Sequence, residues 1–133
     1  PNRVDWIAPD GTLQKGQKLP DRVFTITVSD REAFLRKFPP ELRSAAEKIP
    51  FSPVKPPFDA AFTGGDGNVW LEKSRVIPDT VRRYQVIGRN GRLLQAIAFN
   101  GYGYALATSP DAVLVKEVQP EGWRFLRYRR PPS

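Results

Sequence analysis

The chain contains no cysteine, no histidine and no methionine. Without cysteine there is neither a disulfide framework nor a thiolate metal site, and cysteine usage gives no redox compartment. Without histidine the commonest general base and the commonest transition-metal ligand are both missing. Catalytic triads built on histidine, and ordinary zinc sites, are therefore excluded. No apolar run approaches the roughly 18 residues that cross a bilayer as a helix, and no charged-then-apolar leader stands at the start. The lack of methionine, with Pro1 in first place, leads to the expectation of a processed product or of part of a longer polypeptide. Asp59, Asp66, Glu72 and Asp79 form no D-x-D-x-D ladder and no EF-hand spacing, and Asp66 is accounted for by a turn. The glycines of "GGDGN" do not precede a helix, so no phosphate cradle is expected. These absences lead to a non-enzyme with no cofactor.

Present in excess are positive charge and proline. Among 133 residues, 21 Lys and Arg face 14 Asp and Glu, giving a formal charge of +7. Such a field favours an acidic partner, whether an acidic protein surface, anionic lipid or nucleic acid. The length suits one domain with a real core. The 14 prolines limit helix and suggest short elements joined by fixed bends.

Asp10-Gly11, Asp66-Gly67 and Asn90-Gly91 lie between apolar stretches, and each dipeptide suits a type I′ hairpin turn. The expected strands are 4–8 with 12–19, 59–63 with 68–73, and 82–88 with 92–99, followed by strands near 104–108, 112–118 and 123–129. In "LLQAIAF" the alternation sends Leu93, Ile97 and Phe99 one way and Leu94, Ala96 and Ala98 the other, so cover is expected on both faces. Residues 29–49 break the pattern. Ser29 with Glu32 has the spacing of a capping box, and Phe34, Leu35 and Phe38 share a helical face. Pro39-Pro40 ends this helix and starts another, carrying Leu42, Ala45, Ala46 and Ile49. "PFSPVKPPF" reads as an extended connector.

The stretch around Gly11 is repeated around Gly91: Trp6 matches Val86, Ile7 matches Ile87, Asp10 matches Asn90 and Leu13 matches Leu93. A strand, turn and strand unit recurring after the length of one further sheet is what a bladed architecture leaves in a sequence. From "FTITVSDREAF" to "FLRYRR" the chain resembles the C-terminal part of a family of bacterial six-bladed β-propeller proteins found mostly in exported chains. The features that carry the resemblance are Asp30 to Phe34, the connector "FSPVKPPF", "DGNVWLEK", then Tyr84, Val86, Gly91 and Leu93, and finally Arg127, Tyr128 and Arg129. The resemblance implies a fold and a periplasmic or otherwise extracytoplasmic, peripheral location; the family has no agreed activity.

The expected fold is therefore all-β: antiparallel propeller-like blades forming a partial ring, with a short two-helix insert. Residues 1–28 would supply a hairpin of one blade, 29–57 the insert and connector, 58–99 a full blade, and 100–133 a partial last one. A six-bladed ring needs roughly 24 strands, so an open fragment would leave edges and apolar faces to be covered by a partner.

Trp70 is read as core, with Trp6 and Trp123 nearer the reach of a partner. The candidate binding residues are the basic and aromatic ones: Arg82 and Arg83, and then Trp123, Arg124, Arg127, Tyr128, Arg129 and Arg130. The functional expectation is a scaffold or binding module, an accessory subunit docked on a larger assembly with an acidic surface, at a membrane complex or on anionic lipid. A nucleic-acid-binding domain is the alternative, since interleaved cations and aromatics suit single strands, but no recognised binding motif accompanies the charge and nucleic acid is the less favoured partner. A third expectation is a hydrolase whose active site lies in absent blades.

Overall fold

The computed structural model describes residues 2–99 and 102–131. The expected boundaries at residues 1, 100 and 133 lie outside the described residues. The elements in chain order are β1 (Trp6–Ile7), β2 (Leu13–Gln14), α1 (Val28–Leu35), α2 (Pro40–Ala46), β3 (Phe58–Thr63), β4 (Val69–Lys73), β5 (Arg82–Ile87), β6 (Leu93–Phe99), β7 (Gly103–Thr108), β8 (Ala112–Gln119) and β9 (Gly122–Arg129). They form three antiparallel sheets: the pair β1-β2, the meander β3-β4-β5-β6 and the meander β7-β8-β9. The chain is mostly β, with two short helices outside the sheets.

The three Asx-Gly hairpins are built alike, although not as type I′ turns. In each, the glycine alone among the loop residues takes positive φ, at 85° for Gly11, 75° for Gly67 and 73° for Gly91. Its N–H donates to a carbonyl three residues back, at Ala8, Gly64 and Gly88 respectively. The outer pair is closed by Ala8 N–H to the Thr12 carbonyl, Gly64 to Asn68 and Gly88 to Arg92. This is a three-residue loop, a type I turn ending in a glycine bulge. The Asx side chain fixes it by accepting from the amide two residues on, at 2.9 Å for Asp10 and Thr12 and 3.1 Å for both Asp66 with Asn68 and Asn90 with Arg92. Because the bulge already orients the strands, a second residue at positive φ is not required.

The two meanders pack face to face. Trp70, Tyr84 and Val86 meet Ala105, Val113 and Val115, with Phe62, Ile97 and Phe99 around them. The other face of the four-stranded sheet holds Leu71 and Ile87 under Leu19, with Val4, Trp6, Phe58, Val69 and Leu93 alongside. The first hairpin therefore covers the far side of the sheet to which the Gly91 hairpin belongs. The two hairpins lie in different sheets and touch at Gln17 N–H, which donates to the Gly91 carbonyl at 3.2 Å. Strands β1 and β2 are two residues each, far shorter than the expected 4–8 and 12–19. The chain around Lys15 to Leu19 leaves the ladder to reach over the sheet, where Leu19 is buried.

Strand β6 also departs from simple alternation. Its register with β5 skips Leu94, so Leu93 joins the Leu19 cluster while Ile97 and Phe99 join the Trp70 cluster on the opposite face. Leu94, Ala96 and Ala98 are exposed rather than covered.

The helical segment begins earlier than its Ser29 signal. Thr27 is the N-cap, its hydroxyl accepts from the Asp30 amide at 3.2 Å, and Asp30 accepts from the Thr27 amide at 2.9 Å. The box is thus Thr27 with Asp30. Two neighbours fix that choice: Thr25 bridges Val54 in extended conformation, and Lys55 reaches Asp30 at 2.5 Å. Pro39-Pro40 does separate the helices, with Pro40 in the first turn of α2. Phe34 packs edge-on to Phe38 and Phe51. Of the apolar set expected on the second helix, Ala46 is buried while Leu42, and Ile49 beyond the end of α2, remain exposed. The connector runs extended beside 24–26, held by Ile26 N–H to the Pro53 carbonyl and Lys55 N–H to the Phe24 carbonyl.

Candidate interaction surface

Strand β9 places the C-terminal basic and aromatic residues by alternation. Val113 and Val115 face the core, and they pair with Tyr128 and Leu126. Arg124, Leu126 and Tyr128 therefore belong to the inner face of this sheet, and Trp123, Phe125, Arg127 and Arg129 to the outer one. On β8 the outer positions are Leu114, Lys116 and Val118, opposite Arg127, Phe125 and Trp123.

That outer face has no cover among the described residues. Trp123 is 61% exposed, Val118 51% and Phe125 49%, and Leu106, the bulged residue of β7, 47%. The Trp123 and Phe125 rings lie 4.9 Å apart at 53°, and the Lys116 ammonium sits 5.1 Å from the Trp123 ring centre. A shallow groove of about 300 Å³ continues the face toward the β7-β8 turn, bordered by Ala107, Thr108, Leu114 and Arg127. Along β8 and β9 the outer positions carry three cations, Lys116, Arg127 and Arg129, and no carboxylate.

The other candidate residues are not gathered onto this face. Arg82 pairs with Glu72 and lies 5.4 Å from the Tyr104 ring centre, while Arg83, one position on and so on the opposite face of its sheet, pairs with Asp79 at 2.5 Å. Arg124 turns inward to Glu117 at 2.8 Å, and Tyr128 meets Phe99 at 5.9 Å. Arg127 bonds Asp111 across the β7-β8 turn at 3.1 Å.

Arg130 is a correction to the expected binding set. Its guanidinium is buried, paired with Asp66, bonded to the Gln95 amide oxygen at 2.9 Å and set 5.3 Å from the Trp70 ring centre. Burial alone would push the Asp66 carboxyl up, but the Arg130 and Asn68 bonds outweigh it and hold its pKa below the ordinary 3.8. Arg130 ties the end of β9 to the β3-β4 turn, and a side chain so used is not available to a partner.

The four scattered carboxylates have structural partners. Asp66 holds Arg130, Glu72 accepts from Arg82 and from the Tyr84 hydroxyl at 3.0 Å, Asp59 accepts from Ser74 at 2.7 Å, and Asp79 holds Arg83. The Tyr84 phenol beside Glu72 is itself perturbed. Its burial pushes the phenol up to about 12, the Ala105 N–H bond to its oxygen pulls the other way, and the Glu72 charge adds to the rise. Among the described residues no group of three or more acidic side chains is placed to hold a metal ion. Among the described residues no helix is long and apolar enough to cross a membrane.

Comparison with protein-family models, with curated proteins and with solved structures finds no match. The propeller resemblance rests on the motifs alone.

Proposed function

We propose that this chain is a non-catalytic binding module, an accessory subunit that docks on a larger protein assembly through the outer face of β7-β8-β9. One observation carries the reading: a sheet face bearing Trp123, Phe125, Val118 and Leu106 stands in water, where an antiparallel sheet with one solvated face ordinarily alternates to polar residues. Exposed Trp and Phe beside Lys and Arg match the composition of protein interfaces, which are enriched in aromatics and arginine. The outer positions of β8 and β9 hold Lys116, Arg127 and Arg129 and no carboxylate, with Asp111 the one acid bonded at the margin, and this balance favours a partner with acidic residues around an apolar centre.

The propeller proposal has a related basis. A four-stranded meander followed directly by a second meander packed on its face is how consecutive blades stack, and the first hairpin packs on the opposite face of the four-stranded sheet. On this proposal the outer face of β7-β8-β9 is where a neighbouring blade or subunit belongs. An extracytoplasmic setting, at a membrane complex or anionic lipid, follows from the resemblance and belongs to the same proposal.

The test uses the chain purified gently from its native source and sized. The wild type is expected in a complex, and the double variant Trp123→Ser with Phe125→Ser as a free chain of unchanged thermal stability. A wild-type chain that runs as a lone, stable 15.0 kDa monomer overturns the reading. Nucleic acid is the second reading, favoured by the cation over Trp123. It requires affinity for single strands that falls steeply with salt, whereas a shape-matched protein interface keeps most of its affinity.

A further inference from the structure

The outer face borders an edge, and the two main sheets treat their edges unequally. Each of β3, β6 and β7 carries one residue that the ladder skips, namely Asp59, Leu94 and Leu106. Bulges of this kind twist an edge and spoil it as a template for another strand. Strand β9 has none: its eight residues pair with β8 in unbroken register from Gly122 to Arg129. It contains no proline, and among the described residues no strand pairs with it on the side away from β8.

Three of the four C-terminal arginines are held away from that side. Charged side chains blunt an edge when they extend across it. Here Arg124 bonds Glu117 on β8, Arg127 bonds Asp111 beyond the start of β8, and Arg130 is buried on Asp66. Three of the cations are thereby drawn back over the sheet, and among the described residues no backbone hydrogen bond reaches β9 from the side away from β8.

We infer that β9 is a docking edge that accepts an extended acidic segment of a partner protein as a fourth strand. The inference rests on the protein-binding reading and specifies how the partner binds. Main-chain hydrogen bonds to β9 supply affinity, and alternate side chains supply selectivity. On the outer face the incoming strand lies beside Trp123 and Phe125 at one end of β9 and Arg127 and Arg129 at the other. Its matching positions are apolar or aromatic at the first end and Asp or Glu at the second. The side chains between them fall beside Arg124, Leu126 and Tyr128.

The probe is a capped synthetic peptide of eight residues with Phe, Val, Glu and Glu at alternate positions and Thr between them. It is made in both chain directions and titrated into the full chain by tryptophan fluorescence. Two further versions carry N-methyl groups on one or the other alternate set of amides. Strand addition predicts that one direction binds, that one methylated set loses about tenfold or more in affinity while the other stays within about twofold, and that β9 amides gain hydrogen-exchange protection. Arg127→Glu with Arg129→Glu should exchange preference from the Glu peptide to its Lys counterpart. Equal binding by both methylated sets overturns strand addition and leaves docking on the sheet face intact. Failure of every peptide at millimolar concentration overturns it too, and an oligothymidylate that binds when the peptides do not overturns the protein-binding reading as well.

Discussion

Arg130 and Tyr84 show how single side chains hold the two meanders together. Both side chains of the Asp66–Arg130 pair are 5% exposed, so the ions rely on each other and on Gln95 rather than on water. Arg130→Met leaves a buried carboxylate unpaired, and the expected cost is about 3–5 kcal/mol in urea unfolding. Asp66→Asn combined with Arg130→Met should recover part of that loss. A single-variant cost below about 1 kcal/mol would mean that the pair is not a clasp. Because the Asp66 pKa is depressed in the folded state, the stability it supplies is present above the ordinary value of 3.8 and is lost as the pH falls through the lower folded value. Tyr84 has the opposite sign. Its neutral form is favoured on folding, so its contribution is complete below pH 10.0 and disappears as the pH rises toward about 12. Alkaline titration of unfolding should show this loss in the wild type and not in Tyr84→Phe. At neutral pH that variant should be less stable by about 1–3 kcal/mol, because the Ala105 amide and Glu72 lose a partner.

At the scale of elements, what could be read from the sequence was what is encoded locally. An Asx side chain and a following glycine specify a turn through their own hydrogen bonds, so the positions of all three hairpins were legible, as were strands β3 to β9 to within a residue or so. The type of turn was not, since Pro9, Gly65 and Arg89 carry no common signal. Bulges were also illegible: the sequence "LLQAIAF" alternates cleanly, and only the pairing with β5 shows that Leu94 is skipped. The helix cap was ambiguous because Thr27 with Asp30 and Ser29 with Glu32 have the same spacing, and Lys55, 25 residues from Asp30, decides between them. Thr27→Ala should therefore cost about 1 kcal/mol and Ser29→Ala almost nothing, measured by thermal unfolding. The reverse order would restore the later helix start. The glycines of the turns are not equivalent either. A side chain at Gly11 meets open space, while one at Gly91 would lie 2.3 Å from the Gly16 backbone. Both substitutions to Ala strain a left-handed residue by about 1 kcal/mol, and Gly91→Ala must in addition push the first hairpin off the sheet, so it should be clearly the more destabilising.

For the whole molecule, long-range pairing decides which part of the sequence is available for function. The C-terminal arginines read alike in sequence, yet Arg130 is consumed by Asp66, 64 residues earlier, and Arg82 and Arg83 leave opposite faces of another sheet. Trp123 and Phe125 remain outside because alternation puts them on the face of β7-β8-β9 away from the Trp70 cluster, which nothing among the described residues covers. The same accounting divides the fold by stability. The sheets share the Trp70 and Leu19 clusters, whereas α1 buries no residue fully and α2 buries only Ala46. What fastens the helices is narrow: the Phe34, Phe38 and Phe51 rings, the bridge of Thr25 to Val54, and Lys55, which joins Asp30 to the Arg75 carbonyl at 2.6 Å. Segments with so little buried apolar area open below the global unfolding free energy. Native-state hydrogen exchange should find α1 and α2 opening together, well before the amides of β4, β5 and β8. Lys55→Met should lower that opening free energy further and leave the sheet amides unchanged. If helix and sheet amides exchange with one common free energy and one common denaturant dependence, the helices are an integral part of the core and Lys55 is not their fastening.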